Sequence, residues 1–369
     1  MTEFLKKLQT LPEVTELIRR VDGGGCPAAV TGLQLVQRSC VGAAVAAGAN
    51  RPAVFLCGDE REARQLAGDL RALTGAEAVL LLPREWQLRP MAVASREWER
   101  NRLLALHALV SGEPRLIIAT ADALMARTMP PQLLQKLTVE LRIGGRYDPK
   151  ALAQTLMEAG YARGDQVEGP GQFALRGGIL DVFSPLDPQP VRCEFFDDEI
   201  DSMGTFDPGT QRRTANIESA LLLPAAEVLP ACAEGGLGGL GEKLCQLAAK
   251  LSKKDKTAAA AERLREDGER LKNGAVPSGI DRYLAAIYPA VTTAVDYLPP
   301  GAVVCFSESG RVDERTKGAQ MAMKQDIEPL LEGGLMAGVY ARLALSAEEL
   351  YAALEEFPII MMVSLPPTR

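Results

Sequence analysis

Between an apolar run and an amphipathic stretch lies Val30-Thr31-Gly32-Leu33-Gln34-Leu35-Val36. In an open α/β sheet this first strand-to-helix turn offers backbone N–H groups and a helix N-terminus to a phosphate. Phosphate chemistry there needs a glycine for close backbone approach, a lysine for the outer phosphates and a hydroxyl for Mg²⁺. Gly32 suits a tight turn, but Gln34, Leu35 and Val36 stand where Gly-Lys-Ser/Thr would be. An apolar pair supplies neither the cation nor the metal ligand. A later apolar strand, Val303 to Phe306, ends in Ser307-Glu308-Ser309, whereas a strand of Walker-B type ends in Asp-Glu. The metal-binding carboxylate is missing, and Glu308 alone is expected to be a solvated strand-end residue. Both halves of a nucleotide site are degenerate, and hydrolysis there is not expected.

The other candidates for chemistry are few. His107 is the single histidine of the 369-residue chain, which excludes multi-histidine zinc sites and a two-histidine iron site. It falls inside a helical stretch ending at Ser111 with no carboxylate at helical spacing, so it reads as a helical histidine and not a catalyst. Trp86 and Trp98 share a segment with Arg84, Arg89, Arg96, Arg100 and Arg102. That pattern could stack bases and contact phosphates. The favoured alternative is an amphipathic helix with a charged outer face and two anchoring indoles. The net charge of −7 supplies no global field for a nucleic-acid backbone, so a protein partner fits the balance more easily. The cysteines at 26, 40, 57, 193, 232, 245 and 305 never form a Cys-x-x-Cys pair and read as reduced core thiols, so no metal site is expected. No signal core and no membrane-length apolar stretch is present, and the expectation is a soluble, cytoplasmic protein without membrane contacts.

The elements that must position these residues fall into three blocks. Residues 1 to 20 suggest two short helices. Strands at 28–31, 53–57, 78–82 and 115–119 alternate with helices at 33–47, 60–74 and 95–111, the last capped by Ser95. Short continuous apolar strands separated by helices indicate a parallel sheet covered on both faces. From 166 to 223 the texture changes to short strands with turn signals, following a helix opened by Asp148-Pro149. Beyond Pro224 a glycine-rich link (235–241) leads to helices near 243–251 and 257–271 and to strands at 302–306 and 358–363. A short lysine-rich run spans 250–256. The middle block therefore reads as an insertion into one discontinuous fold.

The middle block is the most informative. Phe173 to Phe183 gives a strand, a Gly177-Gly178 bend and a second strand, and Val191 to Asp201 a hairpin with an acidic turn. Alternation puts Val191, Cys193 and Phe195 on one face and Arg192, Glu194 and Phe196 on the other. An aromatic beside an arginine on an outward face is the composition of a protein-binding hot spot. In the bland alternative Phe196 turns inward and Arg192 pairs with Glu194.

These residues also carry a family likeness. Phe173-Ala-Leu-Arg-Gly-Gly-Ile-Leu-Asp-Val-Phe183, Val191-Arg-Cys-Glu-Phe-Phe-Asp-Asp-Glu-Ile-Asp-Ser202 and Thr205-Phe-Asp-Pro-Gly-Thr-Gln-Arg212 resemble the UvrA-interaction domain. That domain is shared by the excision-nuclease subunit UvrB and the bacterial transcription-repair coupling factors. Flanking segments, Leu82-Pro83, Ala92 to Ser95, Arg100 to Leu109, Ile117 to Ala119 and Met129 to Pro131, resemble the coupling factors. UvrB keeps an intact phosphate loop and an aromatic hairpin between the equivalents of Leu82 and Ser95; this chain has neither, as in the coupling-factor family.

The resemblance implies a degenerate RecA/helicase-like α/β domain in two parts, 1–127 and 223–369, with a small inserted α+β domain at 128–222. It implies UvrA recruitment, with the family's UvrA-contacting positions falling on Arg176, Arg192 and Phe196. No cofactor is expected for this chain, because ATP and Mg²⁺ belong to motor domains of the full-length protein, which also engages RNA polymerase and double-stranded DNA. A C-terminal domain that covers the UvrA-binding face is implied too. The chain is expected to be a piece of such a protein, not itself an enzyme. The alternative is a UvrB-type DNA-repair ATPase with residual nucleotide or DNA binding.

Overall fold

The computed structural model describes residues 2–89, 97–112, 114–185, 187–253 and 257–364. Five apolar segments and one shorter strand build a parallel sheet: β1 (Ala28–Thr31), β2 (Ala53–Cys57), β3 (Val79–Leu81), β4 (Leu116–Thr120), and, from the far end of the chain, β13 (Val303–Ser307) and β14 (Ile359–Val363). Their order is β1-β14-β13-β2-β4-β3, with each neighbouring pair parallel. Side chains alternate between two cores, as the strand period requires. Val54, Leu56, Ile117, Ala119, Val304 and Phe306 enter one core, whereas Phe55, Cys57, Ile118, Val303 and Cys305 enter the other. Burial on both faces is why these strands read as unbroken apolar runs. The protein is thus an α/β fold of helicase-like type, and β13 and β14 complete the sheet that β1 to β4 begin.

The chain between β4 and β13 builds separate sheets. Strand β5 (Val139–Arg142) pairs antiparallel with β12 (Ser219–Leu222), tying the two ends of the inserted segment together. Between them β6 (Ala162–Arg163), β7 (Gln172–Arg176), β8 (Ile179–Phe183), β9 (Val191–Phe196), β10 (Glu199–Phe206) and β11 (Arg213–Asn216) form a second sheet in the order β11-β10-β9-β8-β7-β6. One of its faces, with Phe173, Leu180, Cys193, Ile200 and Met203, joins the same core as Val54 and Leu56. Val167, Ala174, Phe183 and Phe206 form a small separate cluster on the opposite face.

Two local features depart from the sequence reading. The glycine-rich stretch 235–241 is not a link: a helix spans Gly236–Leu251 and packs on the helix Ala258–Lys272. A Cβ at Gly241 would stand 2.5 Å from the Gly268 carbonyl oxygen, so the glycines serve a close helix crossing that outweighs their poor helix propensity. The second departure is the helix Ser309–Glu332, whose sequence has no sustained apolar period and which buries Val312, Thr316, Ile327 and Leu330. Elsewhere Asp148 accepts the Lys150 N–H at 2.9 Å and caps the helix Pro149–Glu158, as expected. The proposed Ser95 cap, Ala92 to Ser95, Arg96 and Lys254 to Lys256 lie outside the described residues. Among the described residues no helix is long and apolar enough to cross a membrane, and no His/Cys/Asp/Glu group could hold a metal ion.

Candidate functional site

The outward face of the second sheet is assembled by register. Asp181 on β8 lies directly between Ala174 on β7 and Arg192 on β9. Arg192 donates Nε to Asp181 Oδ1 at 2.7 Å and Nη2 to Oδ2 at 2.8 Å, a bidentate pair. Its Nη1 and Nη2 also reach the carbonyl oxygen (3.3 Å) and side-chain oxygen (3.1 Å) of Gln211, and the guanidinium lies 4.4 Å from the centre of the Phe206 ring. The hydrogen bonds to Asp181 raise the pKa of Arg192 above its ordinary value. Arg176, two residues along β7 from Ala174, donates Nη2 to Asp181 Oδ2 at 2.8 Å. Asp181 has 0% of its side chain exposed, Arg192 18% and Arg176 45%.

Phe196 ends β9 opposite Glu199, across a turn in which Asp197 adopts φ +57°. It points outward, 81% exposed, more than any other large apolar side chain among the described residues. Glu194 accepts the Ser202 hydroxyl at 2.9 Å. The alternation expected for β9 holds, and neither half of the bland alternative does: Phe196 does not turn in, and the recorded partner of Arg192 is Asp181, not Glu194. Asp181 itself was missed, although an aspartate inside the apolar strand Ile179–Phe183 signals a buried charge in need of a partner.

The second candidate lies at the carboxyl edge of the parallel sheet, where open α/β folds hold ligands. Gly32 has φ +84°, and the helix Leu35–Gly48 begins two residues after Leu33, whose N–H bonds Val363. Gln37 turns back to accept the Gln34 N–H at 2.7 Å, so the helix caps itself. Leu35 packs against the core and Val36 is exposed. At the end of β13, Ser307 donates to Glu62 Oε1 at 2.6 Å, and Arg38 Nη1 approaches Ser307 Oγ (3.0 Å), Glu62 (3.3 Å) and Glu308 (3.5 Å). Arg311 pairs with Asp59 at 2.7 Å, and Asp59 caps the helix Glu60–Thr74. The Glu62 N–H is the main cause of a lowered Asp59 pKa. Glu308 is therefore not the solvated residue expected. It adopts φ +60°, its side chain is mostly buried, and it accepts the Ser364 N–H at 3.0 Å. Arg38, Glu62 and Glu308 thus meet around Ser307, between the helix Leu35–Gly48 and the end of β13.

The tryptophan–arginine segment follows the favoured alternative in part: a helix spans Glu97–Ser111 and Trp86 packs against the core, but Arg84 and Arg102 are not on a charged outer face. Arg84 and Arg102 point inward to Glu227, at 3.2 and 3.0 Å, and Arg84 also pairs with Asp281 at 2.8 Å. Arg84 stacks 4.3 Å from Trp86. These arginines brace the interior and offer no phosphate contacts. His107 is half-buried beside Ser111 at 3.1 Å, and burial lowers its pKa.

Fold and face together define a UvrB-like module: a helicase-like sheet carrying a UvrB interaction domain, whose family model matches residues 139–227. The chain is 29% identical over 308 residues to the transcription-repair-coupling factor of Bacillus subtilis (83% of this chain, 26% of that protein). To its counterpart in Myxococcus xanthus it is 31% identical over 309 residues (76% and 25%), and to that of Haemophilus influenzae 37% over 176 residues (47% and 15%). The chain belongs with the UvrB-homology modules of the transcription-repair coupling factors. It spans about a quarter of the length of the first two of these relatives.

Proposed function

We propose that this chain recruits UvrA through the outward face of β7 to β9, with Arg176, Arg192 and Phe196 as the binding residues. Within a longer cytoplasmic protein that also engages RNA polymerase and double-stranded DNA, it would link stalled transcription to nucleotide excision repair. The observation that carries the proposal is Phe196, 81% exposed on the domain that matches the UvrB interaction model and on the same sheet face as two arginines fixed on one carboxylate. An apolar ring left in water beside positive charge is an anchor awaiting a pocket. Boundaries at 127/128 and 222/223 divide the chain into the two parts of the α/β body and the recruiting domain.

Titration with purified UvrA tests this. Truncating a central anchor costs about 2 kcal/mol or more, so each alanine variant should bind at least roughly tenfold more weakly. F196A should leave the thermal melt unchanged, whereas R176A and R192A each remove a partner of the buried Asp181 and should lower it, so their binding is compared at a temperature where they are folded. Wild-type affinity in the R176A/R192A/F196A triple variant would refute the assignment.

The chain itself is proposed to turn over no ATP and to need no cofactor. Supporting this, the groups that meet outer phosphates and Mg²⁺ are replaced by Leu35 and Val36, and Arg38 and Glu62 pair with each other beside Ser307. Calorimetry with Mg-ATP should give no binding heat; tight binding or turnover would favour a UvrB-type ATPase instead.

A further inference from the structure

Among the described residues of the recruiting face, Asp181 is charged yet inaccessible. Its side chain is fully buried, so no partner can touch it, yet three N–H groups from two arginines converge on its two oxygens. A buried carboxylate needs such partners, and here both come from the outward face. The small Ala174 on its other flank leaves the lane to Arg176 open. Arg192 is held in addition by Gln211, whose side-chain nitrogen donates to the Pro208 carbonyl at 2.7 Å. The result is a guanidinium pair fixed from below, with one net positive charge shared by two cations and one anion. Arg176 stands as the more exposed member, and Phe196 lies at the end of β9.

We propose that Asp181 is a positioning residue, which presets the planes of Arg176 and Arg192 for the partner that Phe196 anchors. The assignment rests on the UvrA-recruiting reading above. A long side chain that is ordered before association loses less freedom on binding, so the carboxylate contributes to affinity without contact. Arginine is required at position 192 because its planar fork spans both carboxylate oxygens, which an ammonium cannot do.

The test is a UvrA titration of the full chain carrying D181N, in the wild-type background and in an R176A/R192A background. Asparagine keeps the size of the side chain and removes the charge that holds the two guanidinium groups. The expected result is about three- to tenfold weaker binding in the first background and no further change in the second. A carboxylate that merely stiffened the sheet would weaken both backgrounds by the same factor, and that outcome overturns the proposal, as does unchanged affinity of D181N. Should D181N lack a cooperative melt, the smaller D181S serves in the same two backgrounds and is read by the same outcomes. F196A separates the two levels: if F196A binds less tightly while D181N binds normally, recruitment stands and positioning falls. If the wild-type chain does not bind UvrA at all, both fall.

Discussion

Replacing Glu227 by alanine should destabilise the protein by about 5 kcal/mol, the upper end of what breaking a buried ion pair costs. Glu227 is fully buried and accepts Arg102 Nε on both oxygens, at 3.0 and 3.1 Å, while Arg84 approaches at 3.2 Å. Its own N–H bonds Glu99 at 2.8 Å. Alanine would leave Arg102 with the Leu82 and Ala123 carbonyl oxygens and Arg84 with Asp281, each short of the carboxylate that Glu227 supplies. Urea denaturation measures the loss as a lower midpoint with an unchanged slope. A change under 1 kcal/mol would mean that the arginines are solvated elsewhere. Burial alone would raise the Glu227 pKa, but Arg102 and Arg84 more than offset it and hold the carboxyl below its usual value. A depressed folded-state pKa contributes stability that is complete above the unfolded value and lost as pH falls through the folded one. The wild type should therefore lose this contribution only in acid, below about pH 4.3. E227A should show a flatter decline there.

Replacing Glu62 by alanine should cost somewhat less, about 3 kcal/mol. It orphans a buried Arg38 and removes the acceptor of the Ser307 hydroxyl, yet Glu308 remains 3.5 Å from Arg38 and offsets part of the loss. The same denaturation experiment checks it, with UvrA affinity as the control. Glu62 belongs to the crevice at the edge of the parallel sheet, so binding through Phe196 should not change. Weakened UvrA binding in a folded E62A protein would contradict the separation of the two sites.

What the sequence revealed follows from how local each signal is. The helix Glu60–Thr74 was legible to its last residue because Asp59 caps it and Gly75, at φ +73°, ends it. The sandwiched strands β2, β4 and β13 were legible within one residue, because burial on both faces leaves unbroken apolar runs. The helix Ser309–Glu332 left no such trace, since it touches the core at four buried positions within 24 residues. On the outward face of the second sheet, alternation put Arg192 and Phe196 on one side but left open whether Phe196 turned inward, and it was the family resemblance that favoured the outward reading. The bond from Arg192 to Asp181 spans two strands and depends on register, which no single segment states. The inward turn of Arg84 and Arg102 was hidden for the same reason, because their carboxylates lie at 227 and 281.

One core runs without interruption from Val54 and Leu56 in the parallel sheet to Phe173, Cys193 and Met203 under the recruiting hairpin. Close-packed interiors are stiff and transmit strain. A pull applied to the parallel sheet would thus reach Phe196 through packed side chains and not through a slack joint. Mechanically, the outward face carrying Phe196 is expected to follow the parallel sheet, because the two share one packed interior.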